Sequence, residues 1–404
     1  MATQYKTPGV YREDIFPKPE ARLAAGVPGF VGLTIKSSPE DPVVMVLQRK
    51  EEFSGAARGS GFLADAVAGF FDNGGARCYV VLAAHTDEAE REASLAEREN
   101  ALRKGIDTLA RFEDLDLIAA PDAMALRLST GALYIDAVRR LQQAMLQQCA
   151  RLGSRFAILD APPEVETGRL LQYRNELTLE QAEPVNGAFY FPWIKVASAT
   201  NSRFIPPSGH VAGVYARADA RGGVFKAPAN EEVFGAVDIG VSEGQTGKAV
   251  TVDARLQDQL NPAGINCLRA FPGRGIRVWG ARTLSRDPEW RYINVRRLFL
   301  TLRRWIDRNM AWAAFEPNEP RLWVRIQREL TVYLTGLWRG GALAGSTPQE
   351  SFYVKCDGET NPQEDRERGQ VVTEIGLAPG SPAEFIIIRI THRSGTAEAP
   401  GGEP

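Results

Sequence analysis

The 404-residue chain contains few of the residues on which metal and redox chemistry depend. Its four cysteines stand far apart with no CxxC pair, so neither a zinc ribbon nor a disulfide framework is predicted. Its three histidines, His85, His210 and His392, have no partner at the spacing of a metal site. We therefore predict no metal site and no cofactor.

Long apolar runs are also missing. No stretch approaches the roughly 18 apolar residues that cross a bilayer, and the opening residues MATQYKTP lack the basic and apolar segments of a signal peptide. The net charge of −2 argues against generic nucleic-acid binding. These absences predict a folded chain that is made in the cytoplasm, inserts into no membrane and binds no nucleic acid.

Catalytic motifs are incomplete. The stretch GQTGKAVT (244–251) resembles a phosphate loop but lacks the first glycine and the final serine or threonine of that motif. No GxSxG nucleophile elbow is present. Because catalytic triads are recognised by geometry, Ser198, His210 and Asp160 remain one possible set, and a cytoplasmic α/β hydrolase-like enzyme is one alternative function.

Apolar strands alternate with helices in the first part of the chain. GVPGFVGLT (26–34) and CYVVLA (78–83) predict buried strands, and apolar side chains at steps of three and four between 134 and 152 predict a helix with one buried face. We predict a solvated helix or loop over 87–103, and strands with loops over 184–260. This order of strands and helices favours a mostly parallel sheet.

A second unit follows, with two long helices and then three strands. The predicted fold class is therefore α/β and α+β, with an N-terminal extended arm, an α/β sheet domain, and a C-terminal domain in which two long helices pack on a sheet. The predicted boundaries are 1–25 for the arm, 26–264 for the sheet domain, 265–392 for the C-terminal domain, and 393–404 for a flexible tail.

The second unit has an unusual charge pattern. Between 265 and 340 there are fifteen arginines, no lysine and six acidic residues, a net of +9, which leaves −11 for the rest of the chain. On the first long helix the periodicity places apolar side chains on one face and a row of arginines on the other. The row is Arg296, Arg297, Arg303, Arg304 and Arg308. Such a row indicates either an interaction surface or a solvated helix face.

Both ends of the chain contain strand-like segments with no evident partner. The stretch YKTPGVYREDI (5–15) precedes any core, and prolines at 17 and 19 forbid a helix after it. Near the other end, EFIIIRITH (384–392) would be an aggregation hazard if its edge were exposed. A strand outside the core is explained if it pairs with another molecule.

Several stretches resemble the contractile tail sheath proteins of phages and of extracellular contractile injection systems. They are the arm YKTPGVYREDI, FFDNGGARCYVV, PPSGHVAGVYARADARGGVFKAPAN, LNPAGINCLRAFPGRGIRVWGARTLSRDPEWRYINVRR, and FEPN followed by LW. The resemblance extends over almost the whole chain, although 87–103 matches nothing in the family pattern.

This resemblance implies a structural, non-enzymatic subunit. Such subunits form stacked hexameric rings, a helical polymer, around an inner tube, and they contract to drive the tube through a target envelope. Expected partners are other copies of the chain, the inner tube protein, the baseplate and a tail terminator or cap. The sheet domain is expected on the outside and the C-terminal domain near the tube, in a particle assembled in the cytoplasm and, for an injection system, released from the cell.

The resemblance also implies that terminal arms exchange strands between subunits. We assign this intersubunit linkage to Tyr5, Val10, Tyr11, Ile15, Phe385, Ile386, Ile387 and Ile388. The arginine row is assigned to contact with the tube or with a neighbouring subunit. A non-contractile structural tube protein is a further alternative, which would polymerise in only one helical state.

Overall fold

The protein is described by a computed structural model. The structure describes residues 23–35, 41–53, 61–85, 92–128, 132–163, 166–179, 183–197, 202–243 and 246–384. Residues 1–22 of the predicted arm and the whole predicted tail therefore lie outside the described residues. No described helix is both long enough and apolar enough to span a membrane.

Helices and strands alternate along the described chain. The strands are β1 (Pro28–Ile35), β2 (Val43–Leu47), β3 (Cys78–His85), β4 (Leu117–Ala119), β5 (Phe156–Asp160), β6 (Gly187–Phe191), β7 (Trp193–Val196), β8 (Arg203–Ile205), β9 (Ala236–Glu243), β10 (Thr246–Ala249), β11 (Ile265–Phe271), β12 (Gly275–Trp279), β13 (Phe352–Lys355) and β14 (Glu374–Leu377). The α-helices are α1 (Leu63–Asp72), α2 (Glu92–Leu109), α3 (Ile135–Leu152), α4 (Thr167–Thr178), α5 (Ser208–Gly222), α6 (Ala254–Leu260), α7 (Ile293–Asn309), α8 (Pro320–Arg339), α9 (Pro348–Ser351) and α10 (Gln363–Glu367).

An eight-stranded sheet forms the centre of the α/β domain. Its strand order is β12-β11-β6-β5-β4-β1-β3-β2, with six parallel strands in the middle and the antiparallel strands β12 and β2 at the edges. Consecutive side chains of β1 point to opposite faces: Phe30 contacts Phe70 of α1, and Val31 packs at Gly105 of α2. Helices on both faces explain why β3 is buried along its whole length.

This sheet extends beyond the predicted domain boundary. Strand β11 pairs in parallel with β6, and β12 pairs antiparallel with β11, so residues 265–279 belong to the α/β domain. The predicted start of the C-terminal domain at 265 is therefore wrong. A strand pair followed by two helices gives no sequence signal that the pair completes an earlier sheet, because strand pairing is a long-range contact.

Two helices differ from the sequence predictions. Helix α2 was expected to be a solvated helix or a loop, but it packs on the sheet through Leu102, Ile106 and Leu109. Helix α5 was expected to be loop and strand because of its glycines. A β-carbon at Gly209 would lie 2.2 Å from Ala66 Cα, and one at Gly213 would lie 2.5 Å from the Phe70 carbonyl oxygen. These glycines allow α5 to pack closely on α1, and this packing overrides their low helix propensity.

Two smaller sheets complete the fold. A four-stranded sheet with the order β10-β9-β7-β8 belongs to the α/β domain, and β13 pairs antiparallel with β14 in the C-terminal domain. There, α7 and α8 pack against each other, with the rings of Trp305 and Tyr333 stacked 3.9 Å apart. The small core is formed by Trp305, Leu322, Trp323, Ile326, Leu330 and Cys356. The predicted mixed α/β and α+β class is confirmed.

Candidate assembly surfaces

The residues predicted to link subunits lie outside the described chain. This holds for Tyr5, Val10, Tyr11 and Ile15 and for the segment Phe385 to Ile388. The predicted arginine row is described in full, and so is the surface on which a terminal strand could dock.

Arg297 is buried between the two domains. Its guanidinium donates to both carboxylate oxygens of Asp219, at 2.8 and 2.5 Å, and to Asp116 at 3.1 Å. Asp219 lies on α5 and Asp116 just before β4, so Arg297 fixes α7 to the α/β domain. Burial by itself would lower the pKa of Arg297, but the two carboxylates raise it above its ordinary value, so the side chain stays charged.

Arg304 and Arg296 also contact the chain's own groups. Arg304 donates to the carbonyl oxygens of Ala24, at 2.9 Å, and Asp114, at 3.2 Å, and its side chain is only 5% exposed. Arg296 donates to Asn186 at 2.5 Å, and burial lowers its pKa to about 10. Asp116, besides its pair with Arg297, accepts bonds from the amides of residues 26 and 27. The start of the described chain and α7 thus share one buried polar cluster.

The prediction of a single outward row of arginines is therefore wrong. Arg297 and Arg304 are seven residues apart, two turns of helix, and occupy a buried stripe of their own. Arg296 is half-buried beside them. Only Arg303 and Arg308 of the predicted row are exposed. The hydrophobic pattern of the sequence did not show that two of these arginines are buried. Their charges are compensated by buried acidic residues on distant elements, and the periodicity of one helix gives no information about such residues.

A second set of exposed arginines lies on α8. Its outer face carries four arginines and two valines, and the valines are 63% and 64% exposed. The residues of this face are Arg321, Val324, Arg325, Arg328, Val332 and Arg339. Scattered exposed valines need no explanation, but a helix face with this charge is suited to an acidic partner.

The two-stranded sheet of the C-terminal domain has one capped edge and one open edge. The amide of Ala378 donates to the carbonyl of Ser351 at 2.9 Å. By the alternation of an antiparallel ladder, Val354 of β13 and Ile375 of β14 then turn their backbone groups away from each other's strand. The Val354 carbonyl accepts a 2.8 Å hydrogen bond from Gln327 of α8. In the part of the chain that is described, no third strand pairs with β14.

An apolar groove runs beside the β14 segment. It encloses about 870 Å³ between the end of α7, α8 and residues 369–375. Its apolar lining includes Ile306, Met310, Ile326, Leu330, Val371 and Ile375. Phe315, at the rim, is fully exposed and adopts a positive φ of 68°, which is rare for a bulky residue. An open strand edge beside an apolar groove is a suitable site for an added β-strand.

The division of the chain into domains matches two sequence profiles. The profile of the phage tail sheath protein central domain matches residues 141–284, and that of the phage tail sheath C-terminal domain matches residues 285–393. The chain belongs to the phage tail sheath family. The border between the profiles lies between β12 and α7, which agrees with the extent of the large sheet.

Solved structures of sheath proteins resemble the whole chain. A chain of the anti-feeding prophage baseplate is 29% identical, with a TM-score of 0.71, and the match covers 96% of this chain and 99% of that one. A chain of the PVC sheath complex, an extracellular contractile injection system in the contracted state, is 30% identical, with a TM-score of 0.69 and coverage of 97% and 99%. These matches confirm the family resemblance seen in the sequence.

A curated relative matches over a shorter region. The tail sheath protein of Vibrio phage KVP40 is 27% identical over 198 residues, which is 49% of this chain and 28% of the phage protein. The chain matches less than half the length of the curated relatives.

In this sheath protein, two residues of the alternative catalytic triad have structural contacts. Asp160 accepts a 2.7 Å hydrogen bond from the amide of Ser208 at the start of α5. His210 is 4% exposed and lies against Gly69 of α1, and burial lowers its pKa to about 4. Ser198 lies outside the described residues. Asp160 caps a helix and His210 fills a helix–helix contact, so neither needs a catalytic role to explain its burial.

Sequence reasoning missed the groove and the capped edge. Of the walls of the groove, the sequence predicted one strand, among the three that follow the two long helices. The other walls of the groove come from the ends of two helices that are far away in sequence. Phe315 in the turn between the helices carried a weak signal, because a large apolar residue in a loop is unusual.

Proposed function

We propose that this chain is the subunit of a contractile sheath, which stacks as hexameric rings around an inner tube and shortens to drive the tube through a target envelope. The likeness to sheath chains of two contractile systems over nearly the full length supports this proposal. The family is structural, and we propose that the chain has no enzymatic activity.

The observation that carries the proposal is the incomplete sheet of the C-terminal domain. Two strands alone are marginal in water, and here β14 has an open edge beside an uncovered apolar groove. A strand from another copy would supply both backbone hydrogen bonds and apolar cover. Because the donor segment and the acceptor edge are different surfaces, the contact is head-to-tail, and contacts of this kind either close into rings or extend into a helical polymer.

The proposed donors are the terminal segments. Tyr5, Val10, Tyr11 and Ile15 at one end and Phe385 to Ile388 at the other are the candidates for linkage. Contact with the tube or a neighbour is proposed for the exposed Arg303 and Arg308, joined by the outer face of α8. We further propose that baseplate and cap proteins bind the ends of the polymer, and that the particle is assembled in the cytoplasm.

Electron microscopy of the purified chain, alone and with its inner tube protein, tests the proposal. The expected result is wide ridged tubes from the chain alone and longer, narrower ones around the inner tube. Uniform small particles in both conditions would contradict it and would favour the hydrolase-like alternative. Tubes of one form only would favour the non-contractile alternative.

A pair of proline variants tests the acceptor edge. Ile375→Pro removes an outward amide of β14, and Val354→Pro removes the equivalent amide of β13, whose edge α8 already caps. Since proline is tolerated at a strand edge, both subunits should remain folded by circular dichroism. We expect Ile375→Pro to abolish tubes and Val354→Pro to retain them. Normal tubes from Ile375→Pro would remove β14 as the acceptor.

A further inference from the structure

The segment that follows β14 returns to the junction between the two domains. The Ala378 carbonyl accepts from the amide of Ala344 at 2.7 Å, and the Gly380 amide donates to the Ala342 carbonyl at 3.3 Å. The side-chain amide of Asn294, at the start of α7, donates to the Gly380 carbonyl at 3.1 Å. This path brings the last described residue, Glu384, next to the loop after β12.

Glu384 forms a bidentate ion pair with Arg282. The Arg282 Nε donates to Oε1 at 2.9 Å and Nη2 donates to Oε2 at 2.5 Å, while the Tyr292 hydroxyl lies 3.4 Å from Oε2. The two side chains are only 11% and 13% exposed. Paired planar groups of this kind fix orientation as well as distance.

Arg282 is itself held by the large sheet. Its amide donates to Asn266 Oδ1 at 2.8 Å, and Asn266 Nδ2 donates back to the Arg282 carbonyl at 2.7 Å. Asn266 belongs to β11 and has no exposed surface. Glu384 is therefore anchored to the α/β domain, although the strand before it belongs to the C-terminal domain.

Residues 382–384 form one wall of a cavity of about 530 Å³ that Asn261 and Trp279 also line. Beyond Gly380, the hydrogen bonds that hold the described part of this segment are those of Glu384, so the ion pair holds its last described residue in place.

We propose that the Arg282–Glu384 pair is a positioning site, which fixes the point and direction in which residues 385–392 leave the subunit. The inference rests on the proposed function, because it concerns the terminal segment that is offered to a neighbouring copy. A segment that leaves from a fixed point has fewer orientations to lose when it binds, and this lowers the entropic cost of linkage.

The test uses the full chain with Glu384→Gln, which keeps the shape of the side chain and removes its charge. The critical concentration for tube formation, measured by sedimentation and electron microscopy, should rise about tenfold or more, since hydrogen bonds to charged groups are among the stronger ones. Arg282→Lys keeps the charge but loses the planar fork, so it should show a smaller rise. Glu99→Gln is the matched control, because Glu99 forms a bidentate pair with Arg140 within the α/β domain; it should leave assembly unchanged.

A purely structural role would have a different signature. The urea midpoint of the unassembled subunit, measured below the critical concentration, should fall in Glu384→Gln because a nearly buried pair loses one charge, but circular dichroism without urea should show that the subunit is folded as in wild type. The rise in critical concentration then reports positioning rather than unfolding. If Glu384→Gln forms tubes at the wild-type concentration, or if the unassembled variant is already unfolded without urea, the positioning role is wrong and the proposed function stands. If wild type forms no tubes, the proposed function fails and this inference fails with it.

Discussion

The α/β domain and the C-terminal domain complete their cores in different ways. The first has an eight-stranded sheet with helices on both faces, and its buried acids find partners within the chain. The second has two helices over two strands, with an apolar groove and an exposed Phe315 at its rim. The contrast indicates that the large sheet of the α/β domain is covered by the chain's own helices, whereas the C-terminal domain has an open strand edge and an uncovered groove, where we propose that a partner docks.

The buried cluster around Arg297 connects these two regions. It joins α7 to α5, to Asp116 just before β4 and to the first described residues. Helix α7 of the C-terminal domain is therefore held on the α/β domain by charged hydrogen bonds. Three predictions, ordered by expected effect, test how far the two regions differ.

The largest effect is expected from Arg297→Met. This change leaves Asp116 and Asp219 buried without their cation, which costs about 3–5 kcal/mol of unfolding free energy when one partner of a buried pair is removed. Urea unfolding followed by circular dichroism measures it. Arg303→Met is the control on the same helix, where the side chain is 57% exposed and the cost should stay within about 0.5 kcal/mol. Equal effects at the two positions would mean that the cluster does not join the domains.

A smaller effect on the free energy of unfolding is expected when the pH is lowered, and it arises from a histidine in the α/β domain. Burial lowers the pKa of His210 to about 4, while the unfolded chain has the ordinary value near 6.5. Between these values the unfolded state binds the extra proton, so the stabilisation is complete above about pH 6.5 and is lost as pH falls towards 4. The shift corresponds to about 3 kcal/mol.

The comparison with His210→Gln isolates this contribution from the carboxylates that also titrate. The variant should lose less stability than wild type between pH 6.5 and 4 in urea unfolding. Residues 285–384 contain no histidine. A spectroscopic probe in the C-terminal domain should therefore show the same pH dependence only if the two domains unfold together. Parallel pH profiles for wild type and variant would show that His210 is not responsible.

The sequence predicted the elements whose signal is local. The apolar runs of β1 and β3 and the periodicity of α3, α7 and α8 were sufficient, because each pattern reflects burial of one face or of a whole strand. The pairing of β11 with β6 and the helical state of α5 were not predictable in this way. Both depend on a neighbour that is distant in sequence: β6 in one case and the surface of α1 in the other.

The candidate site was predictable only in part. Family resemblance assigned the linkage to the chain ends, and the sequence predicted strands after the two long helices, but it did not predict an acceptor groove. The arginines show the limit of periodicity: it grouped five cations on one helix, but only tertiary structure separates the buried Arg297 and Arg304 from the exposed Arg303 and Arg308.

The smallest effect, and the most direct contrast between the domains, is expected from replacing one phenylalanine in each. Phe315 in the C-terminal domain is fully exposed at φ 68°, a conformation that asparagine tolerates, so Phe315→Asn should stabilise the unassembled subunit by about 1 kcal/mol. Phe234 in the α/β domain stacks under Arg217 at 4.4 Å, so Phe234→Asn should destabilise it by about 1 kcal/mol. Thermal unfolding measures both changes in subunit stability, and sedimentation of the tubes measures how much of each variant assembles. If the rim of the groove contacts a neighbour, Phe315→Asn weakens tube formation while it strengthens the subunit, whereas Phe234→Asn weakens only the subunit. Unchanged assembly in Phe315→Asn would mean that Phe315 does not contact the partner. The groove would then have to bind the partner through its other lining residues.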